Sequence, residues 1–327
     1  MTIQLADITL GSPVFLAPMA GITDLPFRNL VQSFGGGLVV SEMVASQEMV
    51  QAKPGTRERA ELGFGLENTA VQLAGRDALW MAKAAHMVEA SGARIIDINM
   101  GCPAKKVTNG YSGSALMKDL DHALSLIEAV VAAVKIPVTL KTRLGWDDNL
   151  LNAADLARRA EEAGVQMITI HGRTRCQFYK GSADWQAIAA VKQAVSIPVI
   201  ANGDIVDLAS ARKALRQSGA DGVMVGRGIQ GRPWLLAEIA AGLDGRSYDG
   251  IPAGTDLADM VARHYQAALD FYGPDLGGRV IRKHLGWYMD LVETPSALRK
   301  EILTSKSPAT VLRLIPKALA EYGSVAA

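Results

Sequence analysis

The stretches that decide the fold are PVTLK at residues 137–141, QMITIH at 166–171 and PVIAN at 198–202. Each is a short run rich in apolar and β-branched residues, which is typical of a buried parallel strand. Further runs of this kind occur at residues 14–17, 38–41, 69–73, 94–99 and 222–225. Amphipathic segments lie between most of them, at residues 78–90, 122–134, 153–163, 185–195 and 208–217. This alternation predicts an α/β protein with a (β/α)8 TIM barrel.

An open doubly wound sheet is the alternative architecture, because it is also built from alternating strands and helices. Its dinucleotide-binding form carries a G-x-G-x-x-G fingerprint after the first strand, and none follows the run at residues 14–17. We therefore favour the closed barrel. The crossover between the second and third runs is the weakest part of the prediction, because its helical pattern is poor.

The chain beyond the barrel divides into a linker and a helical part. Residues 243–255 are rich in glycine and are predicted to be the linker. Helical spacing without strand patterns follows at residues 257–272, 279–292, 295–306 and 308–322. We predict a catalytic barrel over residues 1–242 and an all-helical domain over residues 256–327. At the N-terminus, residues 3–10 are predicted to form a short hairpin that plugs the bottom of the barrel.

Bulk composition is that of a soluble globular protein, with 327 residues, 49% hydrophobic and 20% charged. No apolar run approaches the roughly 20 residues that cross a bilayer, so no membrane association is expected. The only two cysteines, Cys102 and Cys176, cannot form a disulfide framework and make a poor metal site. We expect a cytoplasmic protein without a metal. The net charge of +1 does not by itself indicate a nucleic-acid partner.

Polar side chains recur at the predicted C-terminal ends of the strands. Apolar and polar residues alternate in the run at 137–141, which turns Lys141 toward the barrel axis. The same phase turns Gln72, Asn99 and His171 inward. Because active sites of TIM barrels lie at these strand ends, we expect these side chains to converge on one site.

The last two strands predict a phosphate site. Asn202, Gly203 and Asp204 end one strand, and Gly226 and Arg227 end the next. Loops after these strands commonly bind phosphate in TIM barrels, since glycine lets backbone N–H groups approach an anion and arginine adds a charged contact. FMN fits such a site, and a sugar phosphate is the alternative.

Lys141 has two competing interpretations. A lysine inside a barrel needs an anionic partner, and a reduced flavin carries negative charge on its pyrimidine edge. A lysine in this position can instead form a Schiff base with a carbonyl substrate. The residues alone leave both roles open.

The motif NMGCP at residues 99–103 places Cys102 on the loop that leaves the fourth strand. A free cysteine is most often a small buried residue. A thiol at the barrel mouth between a glycine and a proline points instead to chemistry, and an ordinary thiol is mostly protonated at neutral pH, so it can donate a proton. Cys176 lacks such surroundings and is interpreted as structural.

These motifs together resemble the flavin-dependent tRNA-dihydrouridine synthases. The resemblance extends over nearly the whole chain and keeps the family order of motifs. It is strongest in DINMGCPAKK, whose ending resembles the B type of bacteria. The segments that carry it are LAPMAGITD at 16–24, DINMGCPAKK at 97–106, LGW at 144–146, HGRT at 171–174, ANGD at 201–204, VGR at 225–227, and RKH at 282–284 with WY at 287–288.

The resemblance implies that FMN, reduced by NADPH or NADH, is the cofactor, and that Lys141 contacts the flavin rather than forming an imine. It implies hydride transfer to C6 of a uracil in the D-loop of tRNA and protonation of C5 by Cys102. Asn99 and Arg173 would face the uracil or its neighbours. The implied FMN contacts are Pro18, Met19, Ala20, Gln72, Lys141, His171, Asn202, Gly203, Asp204, Gly226 and Arg227.

The C-terminal helices are expected to bind tRNA, and the enzyme is expected to be a monomer. Arg279, Arg282, Lys283 and His284 form a basic cluster on one predicted helix, and the first three share a face of it because they fall at i, i+3 and i+4. Such a face can bind RNA phosphates, although a solvated charged face is an equally good interpretation.

Two other functions fit parts of the pattern. One is an FMN-dependent TIM-barrel oxidoreductase that acts on a small pyrimidine-like molecule, which would need no RNA-binding helices. The other is a non-catalytic RNA-binding protein that kept the fold. The presence of Cys102 together with the polar strand ends argues against the second.

Overall fold

The computed structural model describes residues 2–53, 61 and 68–320. Two sequence predictions fall partly outside these residues. One is the crossover between the strand runs at 38–41 and 69–73, and the other is the end of the helix predicted at 308–322, with the last residues of the predicted helical domain.

The strands close into a parallel barrel. Within the described residues they are β3 (Val14–Leu16), β4 (Val39–Val40), β5 (Val44–Ala45), β6 (Thr69–Ala74), β7 (Ile95–Asn99), β8 (Val138–Arg143), β9 (Met167–His171), β10 (Val199–Asn202) and β11 (Gly222–Val225). These nine strands occupy eight positions, because β4 and β5 both pair with β6. The ring closes where β3 pairs with β11 on one side and with β4 on the other. The predicted TIM barrel is confirmed.

Helices surround the barrel. They are α1 (Leu25–Ser33), α2 (Ser46–Val50), α3 (Ala78–Ala90), α4 (Lys105–Thr108), α5 (Leu120–Ala133), α6 (Ala153–Glu162), α7 (Ile188–Ala194), α8 (Leu208–Ser218) and α9 (Leu235–Leu243). Several begin at an aspartate whose carboxylate accepts a backbone N–H of the first turn, which satisfies a donor that the helix leaves free. These aspartates are Asp24, Asp77, Asp119 and Asp207.

Side chains alternate along the strands as predicted. Ile96, Leu140 and Ile168 belong to the apolar layer between strands and helices. Ile95 and Met167, one residue earlier on their strands, belong to a separate cluster inside the barrel. This alternation is what turns the polar strand-end residues toward the axis.

The N-terminal hairpin closes one end of the barrel, as predicted. β1 (Ile3–Leu5) and β2 (Ile8–Leu10) pair antiparallel, and their buried side chains join the cluster inside the barrel. A Cβ on Gly222, the first residue of β11, would meet Ile3 Cδ1 at 3.3 Å. The hairpin therefore lies at the N-terminal ends of the strands, opposite the end where polar residues gather.

The C-terminal region is helical and has its own apolar core, which includes Trp234 of the barrel. Its helices are α10 (Gly254–Tyr272), α11 (Pro274–Val280), α12 (Arg282–Leu291), α13 (Ser296–Thr304) and α14 (Pro308–Leu319). It packs on the barrel through Phe27 of α1, whose ring lies 5.7 Å from that of His264 and 4.8 Å from that of His284. In the part of the chain that is described, no helix is long and apolar enough to cross a membrane. The domain limits drawn at residues 242 and 256 stay a prediction.

One helix was predicted wrongly. The sequence predicted a single helix over residues 279–292, but α11 ends at Val280 and α12 begins at Arg282. Ile281, which lies between them, is only 2% exposed and belongs to the core of the helical region. Arg279 therefore stands on a different helix from Arg282 and Lys283.

Candidate active site

A cavity of about 960 Å³ opens at the C-terminal end of the barrel. It brings together every predicted flavin contact, together with Asn99 and Cys102. The predicted site residues in its wall are Pro18, Met19, Ala20, Gln72, Asn99, Cys102, Lys141, His171, Asn202, Gly203, Asp204, Gly226 and Arg227. Arg173, Arg279, Arg282 and Lys283 do not line it.

The side chain of Asn99 shapes the loop that carries Cys102. Its Oδ1 accepts hydrogen bonds from the backbone N–H of Cys102 at 3.0 Å and of Gly101 at 3.3 Å. On the far side of the loop, Ser114 donates its hydroxyl to the Cys102 carbonyl at 2.9 Å. A Cβ on Gly113 would meet that same carbonyl at 2.8 Å. The position of Cys102 is thus fixed from both sides of its own backbone.

Asn99 is in turn held by a chain of buried polar groups. Its Nδ2 donates to Gln72 Oε1 at 2.8 Å, and Gln72 Nε2 donates to Asp97 Oδ2 at 2.6 Å. Thr139 donates its hydroxyl to the other Asp97 oxygen at 2.7 Å. Burial raises the pKa of Asp97, against these hydrogen bonds and the nearby charge of Lys141. The amides of Gln72 and Asn99 therefore each have one defined orientation.

Lys141 is buried, and its Nζ donates a hydrogen bond to Asn202 Oδ1 at 3.0 Å. Asn202 is fixed by a 2.8 Å bond from Nδ2 to the Met224 carbonyl. Burial, with the neighbouring Arg143, lowers the pKa of Lys141 to about 8, against the opposing charge of Asp97. An ammonium group has three donors, so Lys141 keeps donors for a ligand in the cavity.

His171 completes this wall as a neutral ring. Burial and the surrounding cations, Lys141 first among them, lower its pKa well below the usual value. It can therefore donate or accept one hydrogen bond without adding charge.

The corner formed by the last two strands is open to a ligand. A Cβ on Gly226 would have Ala17 Cβ at 3.8 Å as its nearest neighbour, an ordinary van der Waals distance, so a methyl group would meet no clash there. Gly203 has a φ of +110° and a Cβ on it would meet His171 Nε2 at 3.1 Å, so a larger residue does not fit. Arg227 is 57% exposed and its guanidinium lies 5.0 Å from the centre of the Tyr179 ring.

Comparison with known families shows which family the chain belongs to. A family model described as "Dihydrouridine synthase (Dus)" matches residues 15–322. The chain belongs to the dihydrouridine synthase family. The family assignment made from the motifs is confirmed, and with it the prediction that the protein is an enzyme.

Curated relatives are similar over most of their length. A "Probable tRNA-dihydrouridine synthase" of Rhodobacter capsulatus is 63% identical over 98% of this chain and 99% of the relative. A protein of the same description from Rhizobium leguminosarum bv. phaseoli is 54% identical, over 94% of this chain and 95% of the relative. The "tRNA-dihydrouridine synthase B" of Pseudomonas aeruginosa is 45% identical, over 88% and 86%. These names support the B-type resemblance.

Solved structures show the same barrel at low sequence identity. The histamine dehydrogenase from Rhizobium sp. 4-9 has a TM-score of 0.56 and 14% identity, and the match covers 81% of this chain and 50% of that one. A mutant morphinone reductase in complex with tetrahydroNAD has a TM-score of 0.54 and 15% identity, over 74% and 90%. At this identity the likeness shows the fold.

Arg173 does not face the cavity, contrary to what the family resemblance implied. It is 1% exposed, and its Nη2 forms an ion pair with Asp204 Oδ2 at 2.6 Å. The same guanidinium donates to the carbonyls of Lys180 and Gly181. The loop after β9 folds over Arg173, so the side chain is used up in holding Asp204 and that loop.

The predicted basic cluster is also dispersed. Arg279 donates to the Asp275 carbonyl of its own helix, and Arg282 to the Ser305 carbonyl at 3.3 Å. Lys283 donates to the Gly21 carbonyl beside the cavity. His284 is buried, and burial lowers its pKa well below the usual value, so it adds no positive charge.

Some residues of the cavity wall were not predicted from the sequence. Arg143 faces inward like Lys141, which lies two residues earlier on the same strand. The Nε of Arg143 donates to the Gly101 carbonyl at 2.8 Å. The alternation along the strand could have predicted this residue. Trp287, Asp290 and Leu291 of α12 also line the cavity, although they lie in the helical region. No local pattern could have placed them there.

Proposed function

We propose that this protein is a tRNA-dihydrouridine synthase that reduces the C5–C6 double bond of a D-loop uridine, with FMN as cofactor and NADPH or NADH as reductant. The observation that carries the proposal is that Cys102 and Lys141 line one cavity at the C-terminal end of the barrel. The names of the relatives support tRNA as the substrate.

The phosphate of FMN fits the corner formed by the last two strands. Gly226 lines the cavity and has no side chain, so that its backbone N–H can approach an anion. Arg227 can add a bidentate contact, because its side chain is half exposed and only loosely paired, with 3.7 Å between its Nη2 and Asp204 Oδ1. Asp204 itself is engaged by Arg173, which suits a role in holding this corner.

The ring system of FMN fits the part of the cavity beside Lys141. Among the described residues no carboxylate forms an ion pair with Lys141, so its charge needs an anionic partner. The pyrimidine edge of a reduced flavin carries such charge. When bound there, FMN supplies the hydride for C6 of the uracil.

Cys102 acts as the acid in this proposal. Its thiol lines the same cavity, and Asn99 and Ser114 hold its backbone. A thiol fixed on one face of the uracil can give its proton to C5 while hydride reaches C6 from the other face. The main contribution of the protein is therefore to hold both donors on either side of one planar ring.

The mouth of the cavity suits an extruded nucleotide. A base in folded RNA must leave its stack to reach the bottom of such a site. Phe178 and Tyr179 lie at the mouth and are 42% and 45% exposed. Exposed aromatic rings stack on bases without sequence preference, so these two can hold the neighbours of the reduced uridine.

The helical region, predicted as residues 256–327, serves as the second contact for tRNA in this proposal. Arg279 is exposed and Arg282 half-buried, so both keep donors for phosphates. We further propose that the protein works as a monomer in the cytoplasm, where its two free cysteines stay reduced.

The test is conversion of uridine in tRNA taken from cells that lack this protein. The purified enzyme should show flavin absorbance, and with NADPH it should form dihydrouridine in that tRNA. Turnover of free uracil or uridine, but not of tRNA, would support the small-molecule oxidoreductase. A colourless protein that binds RNA would support the non-catalytic alternative.

A further inference from the structure

The backbone of Gly21 is held from two directions. Its carbonyl accepts a hydrogen bond from Nζ of Lys283, on α12 of the helical region. Its N–H donates to Oε1 of Glu42, a side chain of the barrel that is only 8% exposed. Gly21 directly follows residues 18–20, which line the cavity. Contacts at Gly21 therefore act on the cavity wall.

The turn around Gly21 leaves little freedom. Gly21 has a φ of +71°, and a Cβ on it would lie 2.9 Å from the Lys283 Nζ. The N–H of Met19 donates to the Thr23 hydroxyl at 2.9 Å, and the N–H of Thr23 donates back to the Met19 carbonyl at 3.0 Å. Lys283 and Glu42 thus hold the two peptide groups on either side of the Gly21 Cα in this turn.

Both contacts are charge-assisted. An ammonium group on a carbonyl and a carboxylate on the N–H of the same residue are stronger than neutral hydrogen bonds. Neighbouring bonds of this kind also polarise one another. Loss of either charge is therefore expected to loosen residues 18–20.

The same helix also contacts a second part of the cavity wall, beside the loop after β11. Trp287 lies one turn after Lys283 on α12 and lines the cavity. A Cβ on Gly231, in the loop beyond β11, would meet the Trp287 carbonyl at 2.8 Å. Helix α12 therefore connects the loop after the first barrel strand with the loop after the last one.

We propose that Lys283 is a positioning residue that, with Glu42, holds residues 18–20 of the cofactor cavity and so links the helical region to FMN binding. The inference rests on the proposed function, because it takes FMN as the occupant of the cavity. It replaces the earlier assignment of Lys283 to the tRNA phosphates.

The test measures FMN affinity of the full-length apoprotein by quenching of flavin fluorescence, without RNA. Lys283→Met should weaken FMN binding by about 5- to 10-fold, which is the size of effect expected for one charge-assisted hydrogen bond. Lys283→Arg should recover most of that loss, because it keeps a donor and the charge. Lys300→Met is the matched control, since Lys300 is an exposed lysine of the helical region on α13, and it should leave FMN affinity unchanged.

A second measurement separates positioning from RNA contact. In Lys283→Met, hydrogen exchange at the amides of residues 19–23 should become faster in the RNA-free protein. Equal FMN affinity and equal exchange, together with a salt slope of tRNA binding that falls by about 1, would assign Lys283 to a phosphate and overturn the inference. A wild-type protein that binds no FMN would overturn the proposed function along with it.

Discussion

Oδ1 of Asn99 accepts the backbone N–H of Cys102 at 3.0 Å, so the residue that begins the NMGCP motif positions the thiol that the motif carries. Asn99→Ala should therefore leave the reduction of FMN by NADPH unchanged. It should slow the oxidation of reduced flavin by tRNA about 10- to 100-fold, because the acid is no longer aligned. Stopped-flow absorbance measures the two half-reactions separately. Equal slowing of both would contradict a role in placing Cys102.

The thiol itself can be tested against the other cysteine. Cys102→Ala should bind FMN normally and lose turnover on tRNA, by roughly 100-fold or more, since general acid catalysis contributes effects of that order. Cys176 is exposed and outside the cavity, so Cys176→Ala should keep wild-type turnover. Dihydrouridine content of tRNA, measured by mass spectrometry, is the readout. Full turnover by Cys102→Ala would remove the thiol from the reaction.

Lys141 predicts a pH dependence of cofactor binding. Burial lowers its pKa to about 8 in the protein without ligand, so its positive charge is present below that pH and lost above it. The charged ammonium is a stronger donor to the pyrimidine edge of the flavin than the neutral amine, so FMN affinity should fall as the pH rises from 7 to 9, by at most about tenfold per unit for one proton.

Lys141→Met should bind FMN weakly at every pH and show a flat profile over this range. Fluorescence titrations at constant ionic strength provide the measurement. A wild-type profile as flat as that of the variant would show that the charge of Lys141 does not contact the cofactor.

Two neighbouring glycines should respond differently to the same substitution. In Gly226→Ala the new methyl group would lie at ordinary van der Waals distance from Ala17 Cβ, so the free energy of unfolding should change by less than about 0.5 kcal/mol while FMN affinity falls. In Gly228→Ala the methyl group would meet the Ile205 carbonyl at 2.6 Å, so stability itself should fall by about 1–3 kcal/mol.

Urea unfolding of the apoprotein measures the first quantity for both variants, and flavin titration measures the second. If Gly226→Ala bound FMN as tightly as the wild type, the phosphate would have to lie elsewhere in the cavity.

The grip on tRNA should depend on Arg279 and Arg282. Replacing both with alanine should weaken tRNA binding and lower the slope of log affinity against log salt by up to about 2, because each phosphate contact releases about one counterion. Filter binding over a range of salt concentrations gives this slope. A slope equal to that of the wild type would mean that these arginines belong to a solvated helix face and do not contact phosphates.

Much of the barrel could be predicted because the pattern that indicates each strand lies within the residues of that strand. Alternate residues of a strand face the same side of the sheet. This alternation was enough to predict, without knowledge of their partners, the side chains that face the barrel axis, which are Gln72, Asn99, Lys141 and His171. The same alternation indicates that Arg143 faces inward, but Arg143 was not predicted as a site residue. The short strand β5 was not predicted, because the strand run at residues 38–41 ends before Val44.

The remaining errors concern contacts between distant segments. The i, i+3, i+4 spacing of Arg279, Arg282 and Lys283 indicates a shared face only if the helix is continuous, and Ile281 interrupts it. Arg173 looked available at the end of β9 because its ion pair with Asp204 depends on how the loop folds. Trp287 reaches the cavity only because the helical region packs on the barrel.

The N-terminal hairpin has a consequence for the order of events. Within the described residues, β1 and β2 close the lower end of the barrel, and the cavity opens at the upper end. In the proposed function a nicotinamide and an extruded uracil would therefore enter by the same opening and would compete for one face of the flavin. We expect the reductant to leave before the RNA binds, so initial-rate plots at several fixed concentrations of each should be parallel lines.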